Sequence, residues 1–347
     1  MTTHLKGRDY IETQDLTHEE IDGLLELAQD LKAKFQRGEP TPLLPNQTVF
    51  LLFFDKSTRT RNAFEAGATQ LGAHAHFLDS AVTQISHGET AKDTGIILGS
   101  MGHGIAIRHD LILDEGNHYM REVAKATDVP VINMQCDVDH PTQTLADLMT
   151  IREVFGEDLR GRKIAVSWAY SPSYAKPLSV PQGLITLMTR FGMDVTLAHP
   201  PEYRLMDRCM KAARENAKAA GTRFEIADSM DAAFKNADIV YPKSWGPYDL
   251  MLQRRDAKGD AEMRQIEEQM LAMNARYKAW ICNAERMRLA RTKAVYMHCL
   301  PADRGAEVTD DVIDGPQSVV FQEAENRLHT AKAIMAATMR ERPFTKS

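Results

Sequence analysis

The stretch "TVFLLFFDKSTRTRNAF", residues 48–64, joins a continuously apolar run to a basic turn and then to a helical pattern. The apolar run, 48–54, is typical of a strand that is buried on both faces, as strands in parallel sheets are. After the turn, Ala63, Gly67 and Leu71 recur at the spacing of one helix face. The stretch therefore predicts strand, turn and helix, which is the repeating unit of an α/β protein.

The same signal recurs along the chain in two series. The first series continues with "GIAIRHD" and "VPVINMQ", and the second contains "KIAVSWA", "MDVTLAHP", "ADIVYPKSW" and "AVYMHCLP". Helical patterns at 17–36, 203–219 and 322–340 accompany them, the first opened by a capping box of Thr17 and Glu20. We predict an α/β fold of two lobes, each a parallel sheet flanked by helices, with the boundary near 150–163.

Charge and composition limit the function classes. The chain has 347 residues, with 42 basic and 48 acidic side chains and a net charge of −6. This balance argues against a general nucleic-acid surface, which would be strongly basic. Four widely spaced cysteines, no signal-peptide pattern and no long apolar run together indicate a reduced, cytoplasmic protein without a membrane span.

The basic turn is a candidate anion site. Ser57, Thr58, Arg59 and Thr60 fall where the predicted helix begins, and free backbone N–H groups and the helix dipole attract anions there. Hydroxyl groups and a guanidinium supply further donors, so a phosphate is the natural ligand. The alternative is a capped helix whose basic first turn is merely solvated. The turn does not match the GxxxxGK[ST] phosphate loop, and the chain has no GxGxxG.

Further polar residues follow other predicted strands or begin helices, and each has an ordinary alternative. Arg108 could be a surface arginine, His140 a turn residue, Cys299 a small buried side chain, and Arg327 the partner of Glu323. Gln143 lies near His140 at the predicted start of a helix. No HExxH spacing or comparable ligand cluster occurs, so we expect no metal and no cofactor.

Three segments together resemble the aspartate/ornithine carbamoyltransferase family, and the match runs nearly end to end. They are "STRTR", "HPTQ" and "HCLP", the last followed by "RGAEVTDDVIDGPQSVVFQEAENRLH". The resemblance implies a carbamoyl-phosphate-binding domain at 1–150, an amine-acceptor domain at 151–321, and a C-terminal helix at 322–347 that packs back on the first domain. It also implies a homotrimer with active sites shared between subunits.

The resemblance assigns roles by position. The carbamoyl-phosphate ligands would be Ser57, Thr58, Arg59, Thr60, Arg108, His140, Gln143, Cys299, Leu300 and Arg327, with Gln84 lent by a neighbouring subunit. Of these, Arg108, His140, Gln143, Cys299 and Arg327 would be catalytic. Arg108 would reach the phosphate and the carbonyl oxygen, His140 the same oxygen, and Gln143 the carbamoyl NH2.

The acceptor segments depart from the ornithine pattern. They read "WAYSPSYAKPLSVPQG" at 168–183 and "YPKSWGPY" at 241–248, and both resemble the knotted branch that includes N-acetylornithine and N-succinylornithine carbamoyltransferases. In that branch a proline-rich loop, here Lys176 to Gln182, is threaded into a trefoil knot. Trp168, Lys176, Lys243 and Trp245 would bind the acceptor. The alternative for the aromatic residues is ordinary packing.

We therefore predict carbamoyl transfer from carbamoyl phosphate to an amino-acid-like amine other than free ornithine, or the reverse phosphorolysis of a ureido compound. Ornithine is the second candidate because of the "HCLPADRG" similarity. A candidate of another class is a non-catalytic sensor of a phosphate metabolite on the same scaffold.

Overall fold

A computed structural model describes residues 5–339, which divide into two compact units. Unit 1 holds the described residues as far as Asp110, then Asp114–Met149, and those from Ala324 on. Unit 2 holds Leu111–Leu113 and Thr150–Glu323. Within residues 5–339, no helix is both long enough and apolar enough to cross a bilayer.

Unit 1 is built around a parallel sheet in the order β2-β1-β3-β4. Its elements are α1 (His18–Gln36), β1 (Thr48–Phe53), α2 (Arg59–Gln70), β2 (His74–Asp79), α3 (Ala91–Met101), β3 (Gly104–His109), α4 (Gly116–Ala126), β4 (Val131–Cys136) and the first part of α5 (Pro141–Phe155).

The register of this sheet brings the candidate phosphate residues to one edge. Phe53 at the end of β1 pairs with Arg108 on β3, and Arg108 in turn pairs with Gln135 on β4. All three strands run the same way, so the basic turn after β1 and the start of α5 after β4 lie at the same carboxyl edge. This edge is where ligands bind in open α/β sheets.

Unit 2 contains a second parallel sheet, ordered β7-β6-β5-β8-β9. Its elements are β5 (Lys163–Trp168), α6 (Ser179–Arg190), β6 (Asp194–Ala198), α7 (Asp207–Ala220), β7 (Phe224–Ala227), α8 (Met230–Phe234), β8 (Ile239–Lys243), α9 (Tyr248–Asp256), α10 (Asp260–Ala275), α11 (Ala284–Met287), β9 (Val295–Tyr296) and α12 (Asp310–Ile313). The last helix, α13 (Val320–Thr338), begins in unit 2 and belongs to unit 1 from Ala324 on. A buried cluster around Phe234, Val240 and Tyr296 packs one side of this sheet.

The two sheets confirm the predicted fold class, and the structure adds two strands that the sequence did not predict. β2 and β7 each lie at one edge of their sheets, and all their residues are partly buried or exposed. They lack the continuous apolar runs of β1, β3 and β5, which are largely buried in the interior of the sheets.

The proline-rich segment is also shorter than predicted. Ser179 already begins α6, so the residues of the predicted loop from 179 to 182 are helical. Pro181 is tolerated there because the first turn of a helix has no intrahelical partner for its N–H groups.

Candidate active site

The basic turn forms the start of α2. Thr58 is the N-cap, and Arg59 is the first helical residue. The hydroxyl groups of Ser57 and Thr58 make no hydrogen bond with the residues that the structure describes. Two hydroxyl groups without a hydrogen bond to the described residues therefore lie at the N-terminus of α2, a helix of twelve residues. This arrangement is expected for binding an oxyanion.

Arg327 on α13 joins this turn to the start of α5. Its Nη2 donates to Thr60 Oγ1 at 2.7 Å, and its Nη1 donates to Gln143 Oε1. Arg327, Thr60 and Gln143 are all buried. A guanidinium held at two sites of a buried network is a rigid, permanently charged group.

The side-chain amide of Gln143 is oriented from both ends. Its Nε2 donates to Asp147 Oδ1 at 2.7 Å, while its Oε1 accepts from Arg327. An amide oxygen has two lone pairs and can accept more than one N–H. This geometry suits recognition of an NH2 group.

His140 immediately precedes α5 and is buried beside the arginines. Burial lowers the pKa of its imidazole well below the ordinary value, and the positive charges of Arg327, Arg108 and Arg59 lower this pKa further. Nδ1 lies 3.3 Å from the Thr142 hydroxyl. The lowered pKa favours the neutral imidazole at physiological pH, which has one N–H to donate and one nitrogen that accepts.

Gln84 lies in unit 1 but in a different setting. It starts an exposed 3-10 turn, Gln84–His87, and its Oε1 lies 3.3 Å from His87 Nδ1. Its predicted role depends on a second copy of the chain, so it stays a prediction.

The predicted acceptor lysines both lie in unit 2. Lys243 ends β8, is buried, and donates from Nζ to Ser244 O at 2.7 Å. Lys176 Nζ lies 2.8 Å from Asp303 Oδ2 and 4.0 Å from Glu307 Oε2.

The sequence did not single out Glu307, yet this side chain organises the surroundings of both lysines. Its carboxylate accepts from the backbone N–H groups of Ser244 (2.6 Å) and Asp303 (2.7 Å), and it lies 3.3 Å from His298 Nε2. Burial alone would raise the pKa of this carboxyl, but His298, Lys243 and Lys176 outweigh burial and lower it. Glu307 was missed because no apolar run or helix start places it at the end of a strand.

Trp168 and Trp245 do not present free indole faces. Both are completely buried; Trp168 Nε1 donates to Trp245 O at 2.9 Å, and Trp245 Nε1 donates to Tyr203 O at 2.7 Å. Trp168 also packs against Tyr203 in a tilted arrangement, with ring centroids 4.3 Å apart. These contacts support the packing alternative, and direct contact of the tryptophans with an acceptor stays a prediction.

Cys299 and Leu300 follow β9 in unit 2, with the Cys299 side chain buried. The Leu300 N–H donates to His298 Nδ1 at 2.8 Å, and Leu300 has a left-handed φ of 54°. A bulky residue in that region is uncommon and is held by its surroundings. Across residues 5–339, no group of three or more His, Cys, Asp or Glu side chains could hold a metal ion.

Residues 8–153 match the description "aspartate/ornithine carbamoyltransferase, carbamoyl-P binding domain", and residues 178–338 match the corresponding Asp/Orn binding domain. The chain belongs to the aspartate/ornithine carbamoyltransferase family. The resemblance of the three motifs is thereby confirmed, and so is the interpretation of the protein as a transferase.

Members of this carbamoyltransferase family match over nearly the whole chain. A protein of Escherichia coli strain K12 named "putative carbamoyltransferase YgeW" is 43% identical over an alignment of 369 positions that covers 100% of this chain and 92% of YgeW. The ornithine carbamoyltransferase of Halalkalibacterium halodurans is 36% identical, with 96% of each chain covered.

Solved structures of the family agree with the fold. An acetylornithine transcarbamylase in complex with acetylcitrulline superposes with a TM-score of 0.84 at 32% identity, covering 96% of this chain and all of the other. Ornithine carbamoyltransferase from Pyrococcus furiosus gives a TM-score of 0.82 at 35% identity, with 98% of each chain covered.

Proposed function

We propose that this carbamoyltransferase moves the carbamoyl group of carbamoyl phosphate to the amine of an amino-acid-like acceptor other than free ornithine. The observation that supports carbamoyl phosphate as the donor is the buried network in which Arg327 joins Thr60 to Gln143 beside a neutral His140. Phosphate-binding, amide-binding and carbonyl-binding groups are thereby brought together at one edge of one sheet.

In this proposal the basic turn holds the phosphate. The helix dipole of α2, the free hydroxyls of Ser57 and Thr58, and Arg59 favour the doubly charged phosphoryl group. Gln143 Oε1 accepts from the carbamoyl NH2, and Arg108 and His140 donate to the carbonyl oxygen. Cys299 and Leu300 remain proposed contacts of the same ligand.

The reaction then follows from where charge develops. The neutral amine forms a bond to the carbamoyl carbon, and the electron pair of the C=O bond moves onto oxygen, where Arg108 and His140 stabilise it. When the C–O bond to phosphate breaks, the C=O bond re-forms and the electron pair of the broken bond leaves with the phosphate, beside Arg59. The proton lost by the attacking nitrogen passes to this phosphate, so the products are the ureido compound and hydrogen phosphate. A donor that is already in place costs no reorganisation, and removing one such donor typically costs about 3 kcal/mol, or a hundredfold in rate.

The proposed binding of an amino-acid-like acceptor depends on Lys243, which lies within "YPKSWGPY". Its ammonium donates to a backbone carbonyl and has no carboxylate partner within salt-bridge distance among the described residues, whereas Lys176 is paired with Asp303. We propose that Lys243 binds a carboxylate of the acceptor and that Lys176 supports the site through Asp303 and Glu307. Trp168 and Trp245 support Lys243 by packing, since Trp168 is its neighbour across the sheet.

A panel of amines tests the proposal. Purified protein is given carbamoyl phosphate with ornithine, N-acetylornithine, N-succinylornithine, putrescine, 2,3-diaminopropionate or aspartate, and phosphate release is measured. We expect acceptor-dependent release, strongest with an amine other than ornithine. Fastest release with ornithine would establish the second candidate, which the 36% identity to ornithine carbamoyltransferases favours. Binding of carbamoyl phosphate without release from any amine would establish the sensor.

We further propose a homotrimer in which Gln84 reaches the phosphate of a neighbouring copy. Supporting this, unit 1 exposes large apolar side chains on α3, where Met101 is 66% exposed and Ile96 and Ile97 are also exposed. Val82, in the 3-10 turn Ser80–Val82, is 83% exposed. Exposed apolar residues in one region indicate a protein interface. Similarity to the knotted branch supports a trefoil knot at 176–182.

Four buried cysteines that form no disulfide favour a cytoplasmic location.

A further inference from the structure

A largely buried ion pair joins Arg108 to Asp110 beside the proposed carbamoyl-phosphate site. Arg108 Nε donates to Asp110 Oδ1 at 3.1 Å, and Nη2 donates to Oδ2 at 3.0 Å. The Asp110 side chain is 0% exposed and that of Arg108 is 15% exposed. Two parallel bonds fix the plane of the guanidinium as well as its position.

This pairing leaves part of the guanidinium available. Arg108 makes no hydrogen bond from Nη1 to the residues that the structure describes, so the edge opposite Asp110 can bind a ligand. The same guanidinium lies close enough to His140 to lower the pKa of its imidazole. Asp110 therefore holds one side of a group whose other side remains available for a ligand.

A second carboxyl group connects this pair to the basic turn. Asp55, which directly follows the apolar run containing β1, lies within hydrogen-bond reach of Asp110. Burial raises the pKa of Asp110 to about 7; Arg108 opposes this rise, and Asp55 adds to it. Asp55 therefore extends the surroundings of the Arg108–Asp110 pair to the segment that leads into the basic turn.

We propose that Asp110 is a positioning residue for carbamoyl transfer: it aims Arg108 at the carbonyl oxygen and, through Asp55, ties Arg108 to the phosphate-binding turn. The inference rests on the proposed function, because it needs carbamoyl phosphate as the ligand of Arg108. Stability alone is a weak explanation for the pair, since the cost of removing two charges from water cancels most of the gain.

A double-mutant cycle tests the proposal. Asp110→Asn keeps the size of the side chain but loses the charge and one acceptor. The Kd for carbamoyl phosphate is measured by calorimetry. We expect Asp110→Asn to raise this Kd by about tenfold, because Arg108 would no longer be held in the orientation that binds the ligand. In an Arg108→Met background, the same substitution should change Kd by less than about twofold, because the group that Asp110 positions is gone. Equal losses in both backgrounds would overturn the proposal.

Turnover gives a second readout that a purely structural role would not move. With the best acceptor of the panel, Asp110→Asn should lower kcat by about ten- to a hundredfold while KM for the acceptor stays within about twofold. Asp110→Glu, which restores the carboxylate, should recover part of the loss. A rise in the acceptor KM with kcat unchanged would contradict the assignment.

Asp137→Asn is the matched control. Asp137 is also a buried aspartate of unit 1, but it accepts from the backbone N–H groups of Asp114 and Asn117, each at 2.8 Å. This variant should lower Tm without changing the Kd for carbamoyl phosphate. If the wild-type protein itself fails to bind carbamoyl phosphate, the proposed function fails; if it binds and the cycle shows no coupling, only the role of Asp110 fails.

Discussion

His140 shows how single residues acquire function from their neighbours. An isolated histidine titrates near pH 6.5 and would be partly charged in a cell. Here burial and three arginines keep it neutral. A neutral imidazole can donate one N–H to a developing oxyanion without adding a mobile proton, and the permanent positive charge comes from the arginines instead.

Lys243→Ala tests the acceptor assignment at this scale. The ammonium group of Lys243 is buried and is proposed to bind a carboxylate of the acceptor. We therefore expect KM for the acceptor to rise by about tenfold or more, which is the effect expected from the loss of one charged hydrogen bond. KM for carbamoyl phosphate should change by less than about twofold. Steady-state kinetics with each substrate varied in turn measure both.

Lys211→Ala serves as the control for that experiment, because the Lys211 side chain in unit 2 is 76% exposed and pairs only with Glu215 in a surface contact. It should leave both constants unchanged. Equal rises in both constants for Lys243→Ala would show that Lys243 supports the fold or both substrates rather than the acceptor.

Residue roles were only partly predictable from the sequence. Ser57 to Thr60 could be located because an apolar strand and a helix start bracket them. Glu307 could not, because folding brings it to Ser244 from 63 residues away. Asp110 and Asp147 pair locally, with Arg108 and Gln143, but such short spacings do not by themselves mark a functional pair. The sequence left two interpretations of Trp168 and Trp245 open; their complete burial supports packing, and contact with an acceptor stays a prediction.

Among the elements, α13 combines a candidate active-site residue with an unusual core residue. Arg327 and Lys332 lie on the same helix, and Lys332 is almost completely buried. Lys332 Nζ donates to Gln70 Oε1 at 3.0 Å and to Leu31 O at 3.4 Å, with no carboxylate partner among the described residues. Burial lowers the pKa of this lysine to about 8.

Lys332→Met should therefore stabilise the protein at pH 7, by about 1 kcal/mol after allowing for the two acceptors it leaves unpaired. A folded-state pKa below the ordinary value of about 10.4 means that the unfolded chain binds more protons between about pH 8 and 10. Wild-type stability should rise over that range relative to the variant, so the difference in Tm should shrink above pH 8. Scanning calorimetry from pH 7 to 10 measures it.

Lys34→Met, which removes a half-exposed lysine paired with Asp30 on α1, is the comparison. It should show no such pH dependence. A Lys332→Met variant that is less stable than the wild type at every pH would contradict the prediction and show that the two hydrogen bonds outweigh the buried charge.

Elements with a strong local signal were predicted, and elements with a weak signal were not. The capping box of α1 is confirmed, with Glu20 N donating to Thr17 Oγ1 at 3.2 Å and Thr17 N to Glu20 Oε2 at 2.8 Å. The short helices and the outer strands β2 and β7 depend on packing against neighbours, so their own residues carry little periodicity.

For the whole molecule, the proposed sharing of Gln84 predicts complementation between inactive variants. If each site takes Arg59 from one copy and Gln84 from the next, mixing Arg59→Ala with Gln84→Ala subunits creates sites that contain both wild-type residues. Random reassembly of equal amounts should restore roughly a quarter of wild-type activity, because each site needs one particular subunit at each of two positions. Phosphate release after reassembly is the measurement.

A mixture of Arg59→Ala and Arg327→Ala subunits is the matched control, because both residues belong to unit 1 of one chain and no mixture brings them together. It should stay inactive. Absence of recovery in the first mixture, with trimers confirmed by mass measurement, would show that Gln84 acts within its own subunit or not at all.

The sequence by itself determined the fold class, the series of parallel strands and the basic turn after β1, because these depend on local hydrophobic patterns and on residues adjacent in the chain. Only the tertiary structure decided which side chains meet. Arg327 reaches Thr60 and Gln143 across separations of 267 and 184 residues, and Glu307 meets Ser244 across 63. Such contacts arise from the packing of whole elements, which no short stretch of sequence encodes.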